Sequence, residues 1–343
     1  MILTDLKQDM FLPKEEILID KIVKIRGIDV HLISITLEEN KSVLWAMYKL
    51  PCSIDERIDL EERKKCTSNR EEMVNNISQE LNCSHIYISE IMIQNQKITF
   101  SSSSASPVYY MNYKGYMQLQ HFVEKGMSTT NWNEVDLKNI VIAAYEQNKS
   151  KEFPVIDLSK ELDIIIKVNK EFKQVLINQP ITVNFGKMEK GKKLYFYDSI
   201  EKRNRVFYIN KIEHYDIWKE VNHNFENERI AALPKEQLKQ MKEEYITNME
   251  KICPKGMNLA ILEYETEDDM QLNFYDKEYL DEKPVHDNSS SAMMFFKSDK
   301  KLGNNGFKNQ MCMIKPIEKD FNGSIDIELF SFFMEMPEEV IRV

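Results

Sequence analysis

The chain has 343 residues, of which 42% are hydrophobic and 30% charged, and its formal net charge at pH 7 is −10. This balance is typical of a folded protein, and the length allows two domains. The negative charge disfavours general binding to polyanions such as nucleic acids, because like charges repel within a Debye length of about 8–10 Å. No apolar run approaches the roughly 20 residues of a membrane-spanning helix, so we expect no membrane association.

The N-terminal segment and the cysteines predict a cytoplasmic location. The first residues include acids and lack a sustained apolar segment after a basic start, so they do not resemble a secretory signal. The cysteines are odd in number and form no C-x-x-C pair, which indicates neither a disulfide framework nor a zinc ribbon. They are Cys52, Cys66, Cys83, Cys253 and Cys312. We therefore expect a soluble, acidic, cytoplasmic protein.

The first 150 residues predict an N-terminal α+β domain. Short β-like runs near the start are separated by Gly27 and a polar turn, as in a meander. Ser68 and Glu71 have the spacing of a capping box, which predicts the start of a helix. In chain order the predicted elements are strands within 17–49, a helix over 68–81, a hairpin over 85–100 and helices over about 115–125 and 134–147.

A polar stretch at 146–154 predicts a domain boundary, with a C-terminal α+β domain over 151–343. The charge of this second half is polarised: residues 187–211 hold eight basic and three acidic side chains, whereas residues 263–287 hold ten acids and two lysines. The predicted elements are strands over 162–185, a basic hairpin over 187–211, helices over about 214–226 and 234–252, and strands in most of the remainder.

The order of these elements favours an α+β fold. Strands and helices are interspersed, but they do not alternate regularly as in a parallel α/β fold. We therefore predict two α+β domains with mainly antiparallel sheets and several amphipathic helices.

Several large enzyme classes are excluded by missing motifs. The nine glycines form no G-x-G pair, so the chain has neither a dinucleotide-binding fingerprint nor a P-loop. It also lacks the G-x-S-x-G and H-E-x-x-H signatures of serine hydrolases and zinc proteases. No pattern indicates a cofactor, and we expect none.

The segment "VHDNSSSAMMFF" at 285–296 brings a histidine, an acid and three serines together in sequence. The groups of a catalytic triad come from separated segments, because neighbouring residues point in diverging directions. We therefore interpret His286, Asp287 and Ser289 to Ser291 as a turn before a strand, since Pro284, Asp287 and Asn288 are turn formers.

The basic hairpin is a candidate nucleic-acid site. Strand alternation places Lys193, Tyr195 and Tyr197 on one face, opposite Leu194 and Phe196. Lysines beside exposed aromatic rings can bind a strand through phosphate contacts and base stacking. The candidate residues are Lys193, Tyr195, Tyr197, Lys202, Arg203 and Arg205. The alternative is a basic strand whose tyrosines lie between sheet layers, or a contact for the chain's own acidic segment.

Two groups of residues offer metal ligands, although a solvated acidic surface is the favoured interpretation of both. Glu220 and His223 have the i, i+3 spacing of metal sites in helical bundles, but no second such helix is found. Glu263 and Glu265 lie on one face of a predicted strand and could bind Mg²⁺ or Ca²⁺.

Asp163, Glu171 and Lys173 have the D…E-x-K spacing of metal-dependent nucleases, in which two carboxylates hold Mg²⁺ and a lysine positions the attacking water. The pattern is short, and chance matches are expected in a chain rich in glutamate and lysine.

No catalytic group of residues stands out, so we predict a non-catalytic intracellular binding protein whose partner is another protein. A metal-dependent hydrolase or nuclease is the enzymatic alternative, and nucleic-acid binding through the hairpin is a further one.

Overall fold

The computed structural model describes residues 11–38, 41–50, 66–82, 85–108, 113–147, 153–219, 235–285 and 301–343. Among the described residues, strands account for 53% and helices for 19%. The paired strands whose direction is assigned are antiparallel. The fold is therefore mostly antiparallel β-sheet, and the predicted α+β class with several amphipathic helices is wrong.

The strands follow one another along most of the chain. In order they are β1 (Glu15–Ile25), β2 (Ile28–Glu38), β3 (Lys41–Lys49), β4 (Ile88–Ile93), β5 (Gln96–Pro107), β6 (Ile140–Gln147), β7 (Ile164–Val168), β8 (Glu171–Asn184), β9 (Gly186–Asp198), β10 (Arg203–Tyr215), β11 (Met257–Thr266), β12 (Leu272–Asp276), β13 (Asn309–Glu318), β14 (Ser324–Met336) and β15 (Glu339–Arg342). The helices are α1 (Asn69–Asn82), α2 (Tyr113–Glu124), α3 (Lys235–Ile252) and the short α4 (Lys277–Asp281).

The helix predicted over 134–147 is instead a 3₁₀ turn at Leu137–Asn139 followed by strand β6. Residues Ile140–Tyr145 of β6 are all buried, so both faces of this strand are covered. A continuous apolar run satisfies helical spacing by chance, and β-branched residues within it favour a strand that is covered on both sides.

The helix predicted from about residue 214 is also wrong at its start. Glu213, His214 and Tyr215 end strand β10, where they pair with Ile261, Ala260 and Leu259 of β11. Glu213 is therefore part of a strand, and the metal candidates Glu220 and His223 lie outside the described residues.

Other predicted elements are confirmed. The meander becomes β1–β3, the hairpin at 85–100 becomes β4–β5, and the basic hairpin becomes β9–β10. The capped helix, the helix near 115–125 and the helix after Pro234 become α1, α2 and α3.

The chain separates into two compact units. Unit 1 comprises residues 1–63, 78–173 and 335–343, and unit 2 comprises residues 64–77 and 174–334. The division into domains 1–150 and 151–343 stays a prediction.

Unit 1 is built on one eight-stranded sheet with the order β1-β2-β3-β6-β5-β4-β7-β15. Its central strands bury residues on both faces. On one face Leu44, Ala143 and Tyr145 join a large aliphatic core. On the other face Trp45 and Ile142 pack with Phe122 of α2 and with Trp132 in a following loop, among others.

Arg26 connects distant segments of unit 1. It lies in the β1–β2 turn, next to Gly27, whose φ of 82° favours glycine. Its guanidinium binds the Glu171 carboxylate at 2.6 Å and donates to the carbonyl oxygens of Asn169 and Pro337 at 2.7 and 3.2 Å. These bonds hold the segment before β15 beside the turn.

Unit 2 contains a four-stranded sheet, β13-β11-β10-β9, and a three-stranded sheet, β12-β14-β8. Side chains of both sheets form one core, in which Phe196 and Phe207 of the first sheet contact Phe332 and Phe274 of the second. Among the described residues, β9 is an edge strand of its sheet.

Helices cover other faces of these sheets. Met249 of α3 and Cys253 pack on Leu259 and Ile261, on the face of β11 that points away from the core. In α1, Arg70 makes a two-pronged ion pair with the buried Glu328 of β14.

His31 of unit 1 is a buried histidine whose tautomer is fixed by its partners. The Trp132 indole N–H donates to His31 Nδ1 at 3.0 Å, so the proton is on Nε2 and is donated to Asp20 at 2.8 Å. His31 is 1% exposed. Burial lowers its pKa, and this effect exceeds the opposite effect of Asp20.

We expect unfolding of the protein to depend on pH through His31. The lowered pKa means that the unfolded chain binds a proton below about pH 6.5 that the folded chain does not, so stability falls as the pH drops below that value. One such proton contributes at most about 1.4 kcal/mol per pH unit. Urea denaturation between pH 5.5 and 7.5 measures the slope.

The variant His31→Gln should show a smaller slope than the wild type. His85→Gln should also reduce it, because burial lowers the pKa of His85 as well. An unchanged slope in His31→Gln would contradict the assignment.

Candidate functional site

The outer face of the β9–β10 hairpin exposes large aromatic side chains. Tyr195 and Tyr197 are 53% and 58% exposed, and Lys193 precedes them on the same face. The intervening Phe196 is buried in the core of unit 2. Strand alternation is the cause, because only every second side chain of β9 can reach the core.

Lys193 connects the exposed Tyr195 with the half-buried Tyr208 and Phe307. Lys193 of β9 is the register partner of Tyr208 on β10, and its Nζ lies 5.5 Å from the Tyr195 ring centroid and 5.7 Å from that of Tyr208. Tyr208 in turn stacks on Phe307, with centroids 6.0 Å apart and an interplanar angle of 13°. We call Tyr197, Tyr195, Lys193, Tyr208 and Phe307 the aromatic row.

Polar contacts orient the members of the row. A hydrogen bond that the Lys193 ammonium donates to the Tyr195 hydroxyl oxygen is the largest of the effects that raise the pKa of Lys193, so this lysine is charged at neutral pH. The Tyr208 hydroxyl donates to Glu267 at 2.7 Å, and this bond raises the pKa of Tyr208. The cation lies near two ring faces, where a positive charge is attracted by the ring quadrupole.

Glu265 fixes the segment that carries Phe307. This carboxylate is fully buried and is the register partner of Tyr208. It accepts hydrogen bonds from the backbone N–H and side-chain amide of Asn305, both at 3.1 Å, and from the backbone N–H of Phe307 at 2.9 Å. Hydrogen bonds to a charged acceptor contribute about 1.5–3 kcal/mol each.

Gly303 is required for this arrangement. A Cβ atom at this position would lie 2.2 Å from Cδ of Glu265, which is far inside van der Waals contact. The backbone of the 303–307 segment can therefore approach the carboxylate only because residue 303 has no side chain.

The arginines of the hairpin are held within the protein. Arg205 is buried and contacts Asp198 at 2.8 Å, Glu201 at 3.0 Å and Asp268 at 2.6 Å. Arg203 binds Glu201 at 2.7 Å and Asp268 at 3.3 Å. Of the six residues proposed for nucleic-acid binding, the structure brings together Lys193, Tyr195 and Tyr197, while Lys202 lies in the turn and both arginines form internal ion pairs.

The metal candidates of β11 have other partners. Glu263 is buried and lies 3.2 Å from the ammonium of Lys211, and the oxygens of Glu265 accept the N–H groups described above. Both carboxylates are buried, whereas the favoured interpretation of the sequence placed them on a solvated acidic surface. Across the described ranges, no three histidine, cysteine or acidic side chains gather as a metal site would require.

The residues of the nuclease-like pattern are separated by a strand. Asp163 precedes β7, whereas Glu171 and Lys173 follow it on β8. A five-residue strand is about 13 Å long, so the two carboxylates lie near opposite ends of β7. Glu171 is also bound to Arg26. The remaining candidates, His286, Asp287 and Ser289 to Ser291, lie outside the described residues.

Sequence reasoning missed Tyr208 and Phe307. Tyr208 lies opposite Lys193 because Asp198 pairs with Arg203 across the turn, and this register depends on a turn length that the sequence leaves open. Phe307 lies in a segment without regular structure, and no sequence pattern connects it with β10.

Comparison with known proteins adds no identification. No protein-family model matches the chain, and neither a curated protein nor a solved structure matches it significantly.

We expect Glu265→Gln to release the 303–307 segment. The substitution removes the charge and replaces one acceptor oxygen by a donor that faces N–H groups, so unfolding should become easier by about 2 kcal/mol or more. Hydrogen exchange provides the local measurement: the amides of Asn305 and Phe307 should lose protection. The exposed Glu318→Gln is the control, and equal protection in the two variants would contradict this role for Glu265.

Proposed function

We propose that the protein is a non-catalytic binding protein and that the aromatic row contacts another protein. The observation that carries this proposal is the exposure of Tyr195 and Tyr197 beside the ordered Lys193–Tyr208–Phe307 group. Large rings at a surface leave apolar area in contact with water, and such area is typical of interaction sites.

The composition of the row is that of a protein interface. Tyrosine is enriched among the residues that dominate binding energy, since it supplies a large contact area and has few rotatable bonds. Charged residues are depleted at interface centres. Lys193 is the one charged member of the row, and its charge lies against two rings.

The ion pairs of Arg203 and Arg205 support a protein partner over a nucleic acid. Affinity for nucleic acids depends on several cations that neutralise phosphates. Both arginines already contact carboxylates, and Asp268 near them adds negative charge. The net charge of −10 also disfavours a nucleic-acid partner, because like charges repel.

Single-stranded nucleic acid is the second candidate, and Lys193 is the observation that favours it. Its ammonium lies between two tyrosine rings, one of which is more than half exposed. Rings of this kind can stack with bases while a neighbouring cation contacts a phosphate.

The cytoplasmic location belongs to the same proposal. Among the described residues, no helix has the length and apolar character needed to cross a bilayer. The enzymatic alternative based on Asp163, Glu171 and Lys173 has less support, because β7 lies between the first of these residues and the other two.

We expect a photo-crosslinker in the aromatic row to capture a protein partner. p-Benzoylphenylalanine replaces Tyr195 or Tyr197 in the full chain, and Tyr113, which is also 53% exposed but lies in unit 1, is replaced as the matched control. After illumination in the native cell extract, the two row positions should give adducts that protease removes and nuclease does not. Adducts equal to those of the control would contradict the proposal.

Affinity for the captured partner should depend on the rings themselves. The double variant Tyr195→Ser, Tyr197→Ser should bind it at least about tenfold more weakly in a titration with purified proteins, because a central aromatic residue often contributes 1.4 kcal/mol or more. Tyr113→Ser should bind as the wild type does.

The nucleic-acid candidate makes a different prediction. A fluorescent oligothymidine should bind the full chain, bind more weakly as salt increases, and lose affinity several-fold in Lys193→Glu with Arg203→Glu. Lys125→Glu, a cation on unit 1, is the control. No binding at low salt, or equal binding by the two variants, would remove this candidate.

A further inference from the structure

Unit 1 contains a partly enclosed cleft of about 140 Å³ between its sheet and helix α2. The floor consists of small side chains on neighbouring strands: Ala144 of β6 is the register partner of Ser104, and Ser106 is the partner of Ile142. Trp45 of β3, which also pairs with Ala144, forms one wall. The cleft exists because serine and alanine leave space where larger residues would fill it.

The Trp45 wall is held in place. Its indole N–H donates to the Thr36 hydroxyl at 2.9 Å and to Glu38 Oε1 at 3.0 Å. Thr36 also donates to the same Glu38 oxygen at 2.8 Å. The other Glu38 oxygen, Oε2, accepts no hydrogen bond from any residue that the structure describes, and Glu38 lines the cleft.

Gln118 is a buried amide without a hydrogen-bond partner among the described residues. It is 5% exposed, it lies on the α2 wall of the cleft, and no described residue hydrogen-bonds its side chain. Its amide atoms are not among the polar atoms fully shielded from solvent, so they open onto the cleft. A ligand in the cleft would supply the hydrogen-bond partner that this amide does not have among the described residues.

The charges around the cleft are balanced but only partly paired. Lys41 is bound to Glu146, whereas the Lys114 ammonium has no carboxylate partner in the described ranges. Lys114 precedes Gln118 by one helical turn and is therefore on the same side of α2. The two lysines and the two glutamates give a net charge of zero, which fits a ligand that carries both signs.

We propose that this cleft binds a free amino acid. The ligand carboxylate contacts the Lys114 ammonium, the Gln118 amide and the Ser104 hydroxyl, and the ligand ammonium contacts the open oxygen of Glu38. The volume is suitable, because a cavity of about 150 Å³ accommodates benzene, and small amino acids have a similar number of heavy atoms. This site is independent of the aromatic row, which belongs to unit 2.

Calorimetric titration of the full chain tests the proposal. Each of the twenty standard amino acids is titrated separately, and at least one should bind in a 1:1 ratio with a Kd below about 1 mM. Propionate, which lacks the ammonium, and ethylamine, which lacks the carboxylate, should each bind at least tenfold more weakly than that amino acid. Absence of binding by all twenty, or equal binding of either analogue, would overturn the proposal.

Variants locate the site. Lys114→Ala removes an exposed side chain and should weaken binding of that amino acid at least tenfold without a change in the unfolding midpoint of the unliganded protein. Gln118→Leu keeps the approximate size of the buried side chain and should also weaken binding. Lys125→Ala, directly after the end of the same helix, is the matched control. Unchanged affinity in Lys114→Ala would overturn the placement of the ligand in this cleft.

Discussion

The central strands of both units are buried on two faces, and this constraint determines most of the structure. A backbone whose side chains alternate between two dry layers must place its N–H and C=O groups in the ladder of the sheet, because neither layer offers water. In unit 1, Ala143 and Tyr145 of β6 face one core, and Ile142 and Ala144 face the other. In unit 2, Leu262 of β11 faces the inter-sheet core, and Ile261 faces helix α3. The second layer, which packs on the face of these strands that points away from the main core, is thus as necessary to the fold as the main core. We call it the outer layer.

Candidate binding sites occur where this outer layer is incomplete. Helix α3 covers β11 at Leu259 and Ile261, and the 303–307 segment covers it at Glu265, but β9 lies beyond both of these contacts at the edge of the sheet. The side chains of β9 that alternate outward therefore stay in solvent, and three of them are Lys193, Tyr195 and Tyr197. In unit 1 the small residues Ser104 and Ala144 leave a cleft under α2.

The sequence predicts local elements better than it predicts fold class. The β1–β3 meander and helix α3 follow from turn residues, caps and apolar spacing, all of which act over a few residues. The helix predicted over 134–147 was wrong because the continuous apolar segment Ile140–Ala144 fits a helix and a doubly buried strand equally well. Pairing with the neighbouring strands β3 and β5 decides that this segment is a strand, and no local sequence pattern encodes that pairing.

The same distinction separates the predicted part of the site from the rest. Side-chain alternation along β9 was sufficient to predict that Tyr195 and Tyr197 are exposed. To predict that Arg205 is buried, the register of the hairpin was also needed. Arg205 pairs with Phe196, so it points to the buried side, and a slip of one residue would have exposed it. Turn length sets that register, and the sequence leaves the length of the 199–202 turn open.

Burial of Glu265 explains how the half-buried part of the aromatic row, Phe307 and Tyr208, is ordered. A flexible aromatic side chain loses conformational freedom when it binds, and this loss opposes association. Here the carboxylate, which lies beneath the 303–307 segment, accepts the backbone N–H groups of Asn305 and Phe307, so the backbone that carries the Phe307 ring is positioned before any partner arrives. Tyr208 stacks on that ring, and Lys193 lies against Tyr208. The order of Phe307, Tyr208 and Lys193 therefore starts from hydrogen bonds to one buried carboxylate and is extended by contacts within the row.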